Sequence, residues 1–548
     1  MLILKIIVVM RDSKMKREHV IFLILVLLGL VLRLLFLDKP AGFWHNEMVM
    51  YNQTIAGNIN DIIEASVQAD VHFPLYQILL AGWIKLFGNG DIVIRLFSVL
   101  AGVLNVIAAY FAGKELKDSK TGNIFAFLTA INATLIFYSQ EVKFYIFLAL
   151  FVTLSLYFLA AIIKRNKVWA YIGYVISNLL IIYTFTIGIL YVIAQGIVFL
   201  AYLIIKRRDV LKNFLIANAA LVLLILPFVI FILTHMNKYE GAAWIFTSNI
   251  FTVFVLIQNF FTPCLIAVYN NPKVYIPTLG LMQLFFIYIP VLIAFWGMYK
   301  AVKTDKINYV ILGIPALFLL FETILCMNSG LRMLTRYTIL AVPPFLLLVS
   351  LGLSEIKRKF LWVIVGYLFV INIFYLIFSP QSAVRGYRDL GEKPAAMIMV
   401  NNKISSNDTI VLALRKNDFD KYLDFGGRKF SLLQDFVHES YAMKPNLTNK
   451  YDAYRDYVSD FHRVNPDFEK DFVKRVIEPM KSSDRVFYIW DENYNTYPVK
   501  SNEEYLKIPV MTSSLSKMNA EAFYICNKYL KIQSGYKLKY YRIFIFEK

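Results

Sequence analysis

FWHNE at Phe43 to Glu47, followed by DVHFPLY at Asp70 to Tyr76, sets how the chain is arranged against the membrane. It follows directly on an apolar run. It gathers His45, Asn46 and Glu47, then Asp70 and His72, in a chain that is otherwise mostly hydrocarbon. Polar groups held against a bilayer are costly and mark functional positions by default. The first question is whether this segment crosses the membrane or lies on it.

The 548 residues are 58% hydrophobic, with a mean hydropathy of +0.56. An ordinary globular protein is about half apolar. Repeated apolar runs near bilayer-spanning length predict a multi-pass α-helical membrane protein. The formal charge of +19 reads as basic loops on one membrane face. No basic-aromatic patch accompanies it, which argues against nucleic acid as a partner. Cys264, Cys326 and Cys526 lack metal-ligand spacing, so neither a bound metal nor a disulfide framework is expected. Met1 to Arg17 reads as an uncleaved leader to the first span, with Met10 and Met15 as alternative starts.

About eleven spans are expected: His19–Leu37, Ile92–Ala112, Gly122–Phe137, Tyr145–Ile163, Val168–Tyr183, Ile187–Ile205, Phe214–Leu233, Tyr275–Tyr299, Tyr309–Met327, Tyr337–Leu353 and Phe360–Phe378. Leu75–Phe87 is too short to cross and is expected to lie in the interface, with Gln77, Ala81 and Lys85 on one face. Phe251–Tyr269 is a second re-entrant or interfacial candidate. Charge supports this division. With a cytoplasmic N-terminus, the clusters Lys14/Lys16/Arg17, Lys114/Lys117/Lys120, Lys164/Arg165/Lys167, Lys206/Arg207/Arg208, Lys300/Lys303/Lys306 and Lys357/Arg358/Lys359 all fall inside. If Leu75–Phe87 crossed, every later cluster would fall outside.

The expected organisation is a membrane domain, 1–378, whose first external loop is 38–91, followed by an extracytoplasmic soluble α/β domain, 379–548. In that second part charged residues become frequent. Short β-like runs at Thr409–Leu414, Arg485–Trp490 and Tyr540–Phe546 alternate with helix-like stretches such as Tyr454–Phe461.

Four basic residues then lie on the face that orientation does not require: Arg95, Lys143 in YSQEVKFY (Tyr138 to Tyr145), and Arg332 and Arg336 in NSGLRMLTRY (Asn328 to Tyr337). Cations at headgroup level facing a loop of carboxylates suit a phosphate. Snorkelling, or a salt bridge such as Lys143 with Glu141, is the plain alternative for each one alone.

These motifs resemble the GT-C superfamily, and within it the family 39-like glycosyltransferases: the dolichyl-phosphate-mannose–protein mannosyltransferases and the lipid A aminoarabinose transferases. The shared pattern is an aromatic residue with Asp-Glu, then Asp-x-His-Pro-Pro-Leu-Tyr, Arg-Leu-x-Ser, Tyr-Ser-Gln-Glu-x-Arg-x-Tyr and a late Arg-Tyr. This chain has FWHNE, DVHFPLY, RLFS (Arg95 to Ser98), YSQEVKFY and Arg336-Tyr337 in the same order, across roughly Leu37 to Leu353. There are three departures. Asn46 replaces the family Asp, Phe73 the first Pro, and Lys143 the Arg. Lys keeps the charge but loses the planar fork. Asn46 cannot accept a proton.

The resemblance implies a hexosyl or pentosyl transferase in the cell membrane that uses a polyprenyl-phosphate sugar and inverts the anomeric centre. Its acceptor would be a protein, lipid or glycan on the outer face. The donor phosphate would meet Arg95, Lys143 and Arg336, with His72, Tyr145, Tyr337 and Arg332 as further contacts. Glu47 is the first choice of base and Asp70 the second, with Asn46 beside them. Structural alternatives are that Glu47 braces its helix and that Asp70 is a turn residue before Pro74. No cofactor is expected, since the lipid-linked sugar is a substrate. A multi-pass lipid transporter or flippase is the rival of another class, but it should show inverted repeats and broken mid-membrane helices. A non-catalytic polyprenyl-phosphate-binding relative is the rival that Asn46 suggests. An oligosaccharyltransferase should carry a Trp-Trp-Asp motif in its external domain, and none is present.

Overall fold

The computed structural model describes residues 14–37, 42–43, 45–69, 73–235, 260, 289–329, 336–378, 401–402, 408–412, 429–432, 468–482, 484–491, 514–537 and 541–548. Asp70, His72, Arg332, Cys264 and Tyr454–Phe461 lie outside these residues. So do most of Phe251–Tyr269 and the first part of Tyr275–Tyr299.

The chain divides into two compact units. One is Met1–Leu37 with Gln53–Tyr239 and Ala243–Arg385; the other is Asp38–Asn52 with Glu240–Ala242 and Gly386–Lys548. The FWHNE stretch, read from sequence as part of the first external loop, groups with the second unit.

In chain order the helices are α1 (Lys14–Leu34), α2 (His45–Thr54), α3 (Ile59–Ala69), α4 (Leu75–Phe87), α5 (Asp91–Leu116), α6 (Ser119–Ile131), α7 (Ala133–Ser139), α8 (Tyr145–Arg165), α9 (Val168–Thr184), α10 (Gly188–Lys206), α11 (Arg208–His235), α12 (Ile289–Thr304), α13 (Ile307–Ser329), α14 (Val342–Ser354, after a 3-10 turn at Thr338–Ala341) and α15 (Arg358–Phe378). Every expected span coincides with described helix, in whole or in part. Among the described residues, five helices are long and apolar enough to cross a membrane: α5, α8, α10, α11 and α13. The pair α6/α7, bent by 61°, makes a sixth.

At 13 residues and ~1.5 Å rise each, α4 is too short to span. Its polar face differs from the expected one. Gln77 is buried and its Nε2 donates to Gln53 Oε1 at 2.9 Å, while Leu79, Leu86 and Phe87 are exposed.

The first unit packs tightly where small residues let backbones meet. A Cβ on Gly113 of α5 would stand 2.9 Å from the Gly122 Cα of α6. At this end of the bundle the basic clusters converge. Arg165 forks onto Glu115 through Nε at 2.8 Å and Nη2 at 2.5 Å, Arg207 Nη1 donates to the Ile163 carbonyl at 2.5 Å, and Lys117 reaches Glu355 and Ser354. Cations over helix C-terminal carbonyls also satisfy groups that the helix leaves open. Basic residues at the ends of α5, α8 and α10 thus gather at one end of the bundle, with Ser354 and Glu355 at the end of α14 among their partners.

The second unit holds a five-stranded sheet of order β2-β1-β3-β5-β4, formed by β1 (Thr409–Leu412), β2 (Lys429–Leu432), β3 (Arg485–Asp491), β4 (Lys531–Lys537) and β5 (Tyr541–Glu547). β1 runs parallel to β2 and β3; β5 is antiparallel to β3 and β4. Consecutive Val486, Phe487 and Tyr488 are all buried, so the central strand is covered on both faces. One cover is α17 (Ser514–Tyr529), where Phe523 packs edge-on against Tyr488 and Phe546, each at 5.6 Å. A short helix, α16 (Phe468–Phe472), precedes β3. Asp408, 1% exposed, is held by Arg485 Nη2 at 2.9 Å and by the Arg485 amide at 3.0 Å.

Candidate active site

The motifs of the first unit meet at the end of the bundle opposite the basic clusters. Ser98 of RLFS donates through Oγ to the Glu141 carbonyl of YSQEVKFY at 2.6 Å. Gln140 of the same motif donates through Nε2 to the Arg33 and Leu35 carbonyls, both at 2.8 Å. Arg95 Nη1 donates to the Leu37 carbonyl at 3.2 Å. The three carbonyls belong to the end of α1 and the turn beyond it, where a helix leaves its acceptors open. Arg95, a candidate for the phosphate, thus takes on a structural bond that the sequence did not foreshadow.

Aromatic residues fill the space between the motifs. Tyr76 of DVHFPLY is buried against Phe97 at 5.7 Å, Phe147 at 5.5 Å and Phe144 at 6.4 Å. Phe73, which departs from the family Pro, packs edge-on against Tyr183 at 5.0 Å and Phe231 at 5.3 Å. Its large ring occupies a place between α9 and α11.

Arg336 lies just ahead of the 3-10 turn that opens the α14 span. Its Nη2 donates to the Tyr337 hydroxyl at 3.2 Å, and its guanidinium lies 5.0 Å from that ring. Tyr138 and Tyr145, 5.2 Å apart, flank it. Burial alone would lower the guanidinium pKa, but the phenols of Tyr145, Tyr337 and Tyr138 outweigh this and hold it above its ordinary value. Among the described residues its buried Nε has no hydrogen-bond partner and no carboxylate pairs with it. The site is a fixed cation with an open donor among three phenols, at the mouth of an apolar bundle. Phe144, Phe185 and Tyr337 extend the aromatic wall, at 5.3 and 5.6 Å. Lys143 is buried in the short connection between α7 and α8.

Of the nominated residues, the first unit brings together Tyr145, Arg336 and Tyr337, and it holds Arg95 and Lys143. Glu47 and Asn46 belong to the second unit. Glu47 lies in the first turn of α2 and is 1% exposed, with Asn46 half-buried beside it. Phe43 packs edge-on against Tyr51 at 5.7 Å. Tyr138, which flanks Arg336, joins the site although its motif alone does not single it out. Its spacing of seven from Tyr145, across a short helix and a turn, was the available signal. Among the described residues no three His, Cys, Asp or Glu side chains converge as metal ligands would.

The fold is that of the GT-C superfamily of glycosyltransferases. ArnT from Cupriavidus metallidurans, solved bound to undecaprenyl phosphate, matches with a TM-score of 0.50 at 11% identity, over 95% of this chain and 97% of that one. An oligosaccharyltransferase of Archaeoglobus fulgidus, solved with zinc and sulfate, matches with a TM-score of 0.50 at 13% identity, over 96% and 72%. The apo form of the latter matches with a TM-score of 0.51 at 13% identity, over 88% and 71%. Residues 71–234 match the family model for dolichyl-phosphate-mannose-protein mannosyltransferase. No curated protein sequence matches the chain.

Proposed function

We propose that this chain is a membrane glycosyltransferase that moves a sugar from a polyprenyl-phosphate donor to an acceptor on the outer face of the cell membrane, inverting the anomeric centre. The observation that carries this reading is Arg336, a buried-edge cation with an open Nε and no carboxylate partner among the described residues, set among Tyr138, Tyr145 and Tyr337. The donor's phosphodiester, and the polyprenyl phosphate monoester released from it, supply the acceptor oxygens that such a site lacks. An apolar bundle beneath it accommodates a long isoprenoid tail. The GT-C fold, and a neighbour solved with undecaprenyl phosphate, support the same chemistry.

Catalysis then needs charge stabilisation for the departing phosphate and a base for the incoming hydroxyl. Arg336 serves the first, with Tyr145 and Tyr337 as hydroxyl donors and Lys143 as a second positive charge. The second is assigned to Glu47, with Asp70 next, on the motif alone. The acceptor is a protein, a lipid or a cell-surface glycan. The reaction as written uses no cofactor.

The test is transfer from a radiolabelled polyprenyl-phosphate sugar in membranes that carry the wild type or Arg336→Ala. Loss of transfer is expected in Arg336→Ala, with partial recovery in Arg336→Lys because a point charge replaces the fork. Wild-type turnover by Arg336→Ala sinks the phosphate assignment. The identity of the acceptor is read from the glycolipid and glycoprotein profile of cells lacking the chain.

A further inference from the structure

Arg33 lies in the last turn of α1 and is fully buried. No carboxylate pairs with it among the described residues. Its guanidinium is spent on uncharged acceptors: Nη1 donates to the Gly29 carbonyl at 3.0 Å and the Ala130 carbonyl at 3.1 Å, Nη2 to the Thr129 carbonyl at 3.1 Å, and Nε to Ser139 Oγ at 3.0 Å.

Two of those carbonyls are the ones left open by the bend between α6 and α7. In a continuous helix Thr129 would accept from the Ala133 amide. That amide instead donates to Asn372 Oδ1 at 3.3 Å, and Asn132 caps the new helix by accepting from the Leu135 amide at 3.0 Å. An open carbonyl away from water costs several kcal/mol, so a bend at this depth must be satisfied from outside the helix. Arg33 does this with a planar fork that spans two backbone carbonyls and a hydroxyl, a geometry that a lysine ammonium lacks. The neighbouring helix makes room for it. A Cβ on Gly102 of α5 would collide with Ser139 Oγ and stand 2.5 Å from Arg33 Nε.

Ser139 is the residue after Tyr138, and Tyr138 stands against Tyr145 beside Arg336. We infer that Arg33 is a positioning residue for the anion site: by fixing the α6/α7 bend it holds Tyr138 and Tyr145 against Arg336. It touches no substrate. The inference rests on the reading of Arg336 as the phosphate-binding cation.

The test uses the full chain in detergent, with fluorotyrosine placed at Tyr138 and, separately, at Tyr202 near the other end of α10. In Arg33→Lys and Ser139→Ala the fluorine resonance at Tyr138 is expected to shift while that at Tyr202 stays. The dissociation constant for undecaprenyl phosphate is expected to rise about tenfold, since misplacement of order 1 Å is costly in such sites. An unmoved Tyr138 resonance with unchanged affinity in a folded variant overturns the inference. If Arg33→Lys loses both resonances through general unfolding, Ser139→Ala, which removes one hydroxyl that accepts from Arg33 and donates to the Leu135 carbonyl, decides on the same readouts. A wild type that binds no undecaprenyl phosphate, while the Tyr138 resonance still moves in both variants, overturns the reading of Arg336. It leaves Arg33's hold on Tyr138 demonstrated.

Discussion

Ser98 Oγ donates to the Glu141 carbonyl oxygen at 2.6 Å across 43 residues of sequence. This bond joins two of the motifs by which the chain resembles the family 39-like glycosyltransferases, and it is buried at both ends. Part of the motif signature is therefore architecture. Replacing Ser98 by Ala removes the donor and costs about 1–3 kcal/mol if the carbonyl gains no substitute. The expected result is a lower thermal midpoint in detergent, with transfer retained by the folded fraction. A midpoint equal to that of the parent shows that the bond contributes nothing net.

Glu47 and Asn46 separate the catalytic reading from the non-catalytic one. Glu47→Gln preserves size and hydrogen bonding but removes the proton acceptor. If Glu47 is the base, transfer falls by at least ~100-fold, the scale of general-base catalysis, and binding of polyprenyl phosphate persists. Wild-type turnover in Glu47→Gln moves the role to Asp70. Asn46→Asp restores the family pattern. A rise in transfer identifies the site as an attenuated form of the family site, and no change leaves Glu47 sufficient.

The apolar helices were legible because bilayer crossing demands long apolar runs, and lipid provides no alternative partner for backbone groups. β1, β3 and β5 were legible as short runs dense in β-branched and aromatic residues, such as Arg485–Trp490. β4 was not. Its KIQSGYK is polar with a Gly and a register shift near Ser534, the composition of an edge strand. The α6/α7 bend was hidden because one Asn in an apolar run does not by itself announce a break. What makes it a break are Asn372 and Arg33, roughly 240 and 100 positions away, as the hydrogen bonds to Ala133 and Ala130 show. Arg336 was legible from its motif. Arg33 and Glu322, both ionisable residues inside spans, carried a signal that the intramembrane rule makes readable.

Glu322 of α13 is fully buried, and neither carboxylate oxygen has a hydrogen-bond partner among the described residues. Among the described residues nothing offsets its desolvation. Replacing it by Leu removes an unpartnered buried polar group, whose desolvation costs about 1–3 kcal/mol. Glu322→Leu is expected to raise the thermal midpoint in detergent. A lower midpoint shows that Glu322 has a stabilising partner in the membrane, such as lipid headgroup or water.

Cys526 reports on the second unit alone. It sits on α17 with its thiol fully buried, and burial pushes its pKa up. Alkylation requires both access and the thiolate, and both are denied in the folded unit. As the unit unfolds, the thiol returns to its ordinary range and titrates near pH 8.5. In a Cys264→Ser, Cys326→Ser background, maleimide labelling at pH 7.5 is expected to be slow in detergent alone. It should rise steeply with urea, at the concentration where the sheet's circular dichroism is lost. Fast labelling without denaturant contradicts the packing of α17 on the sheet. Labelling that precedes the loss of sheet signal shows that α17 opens first.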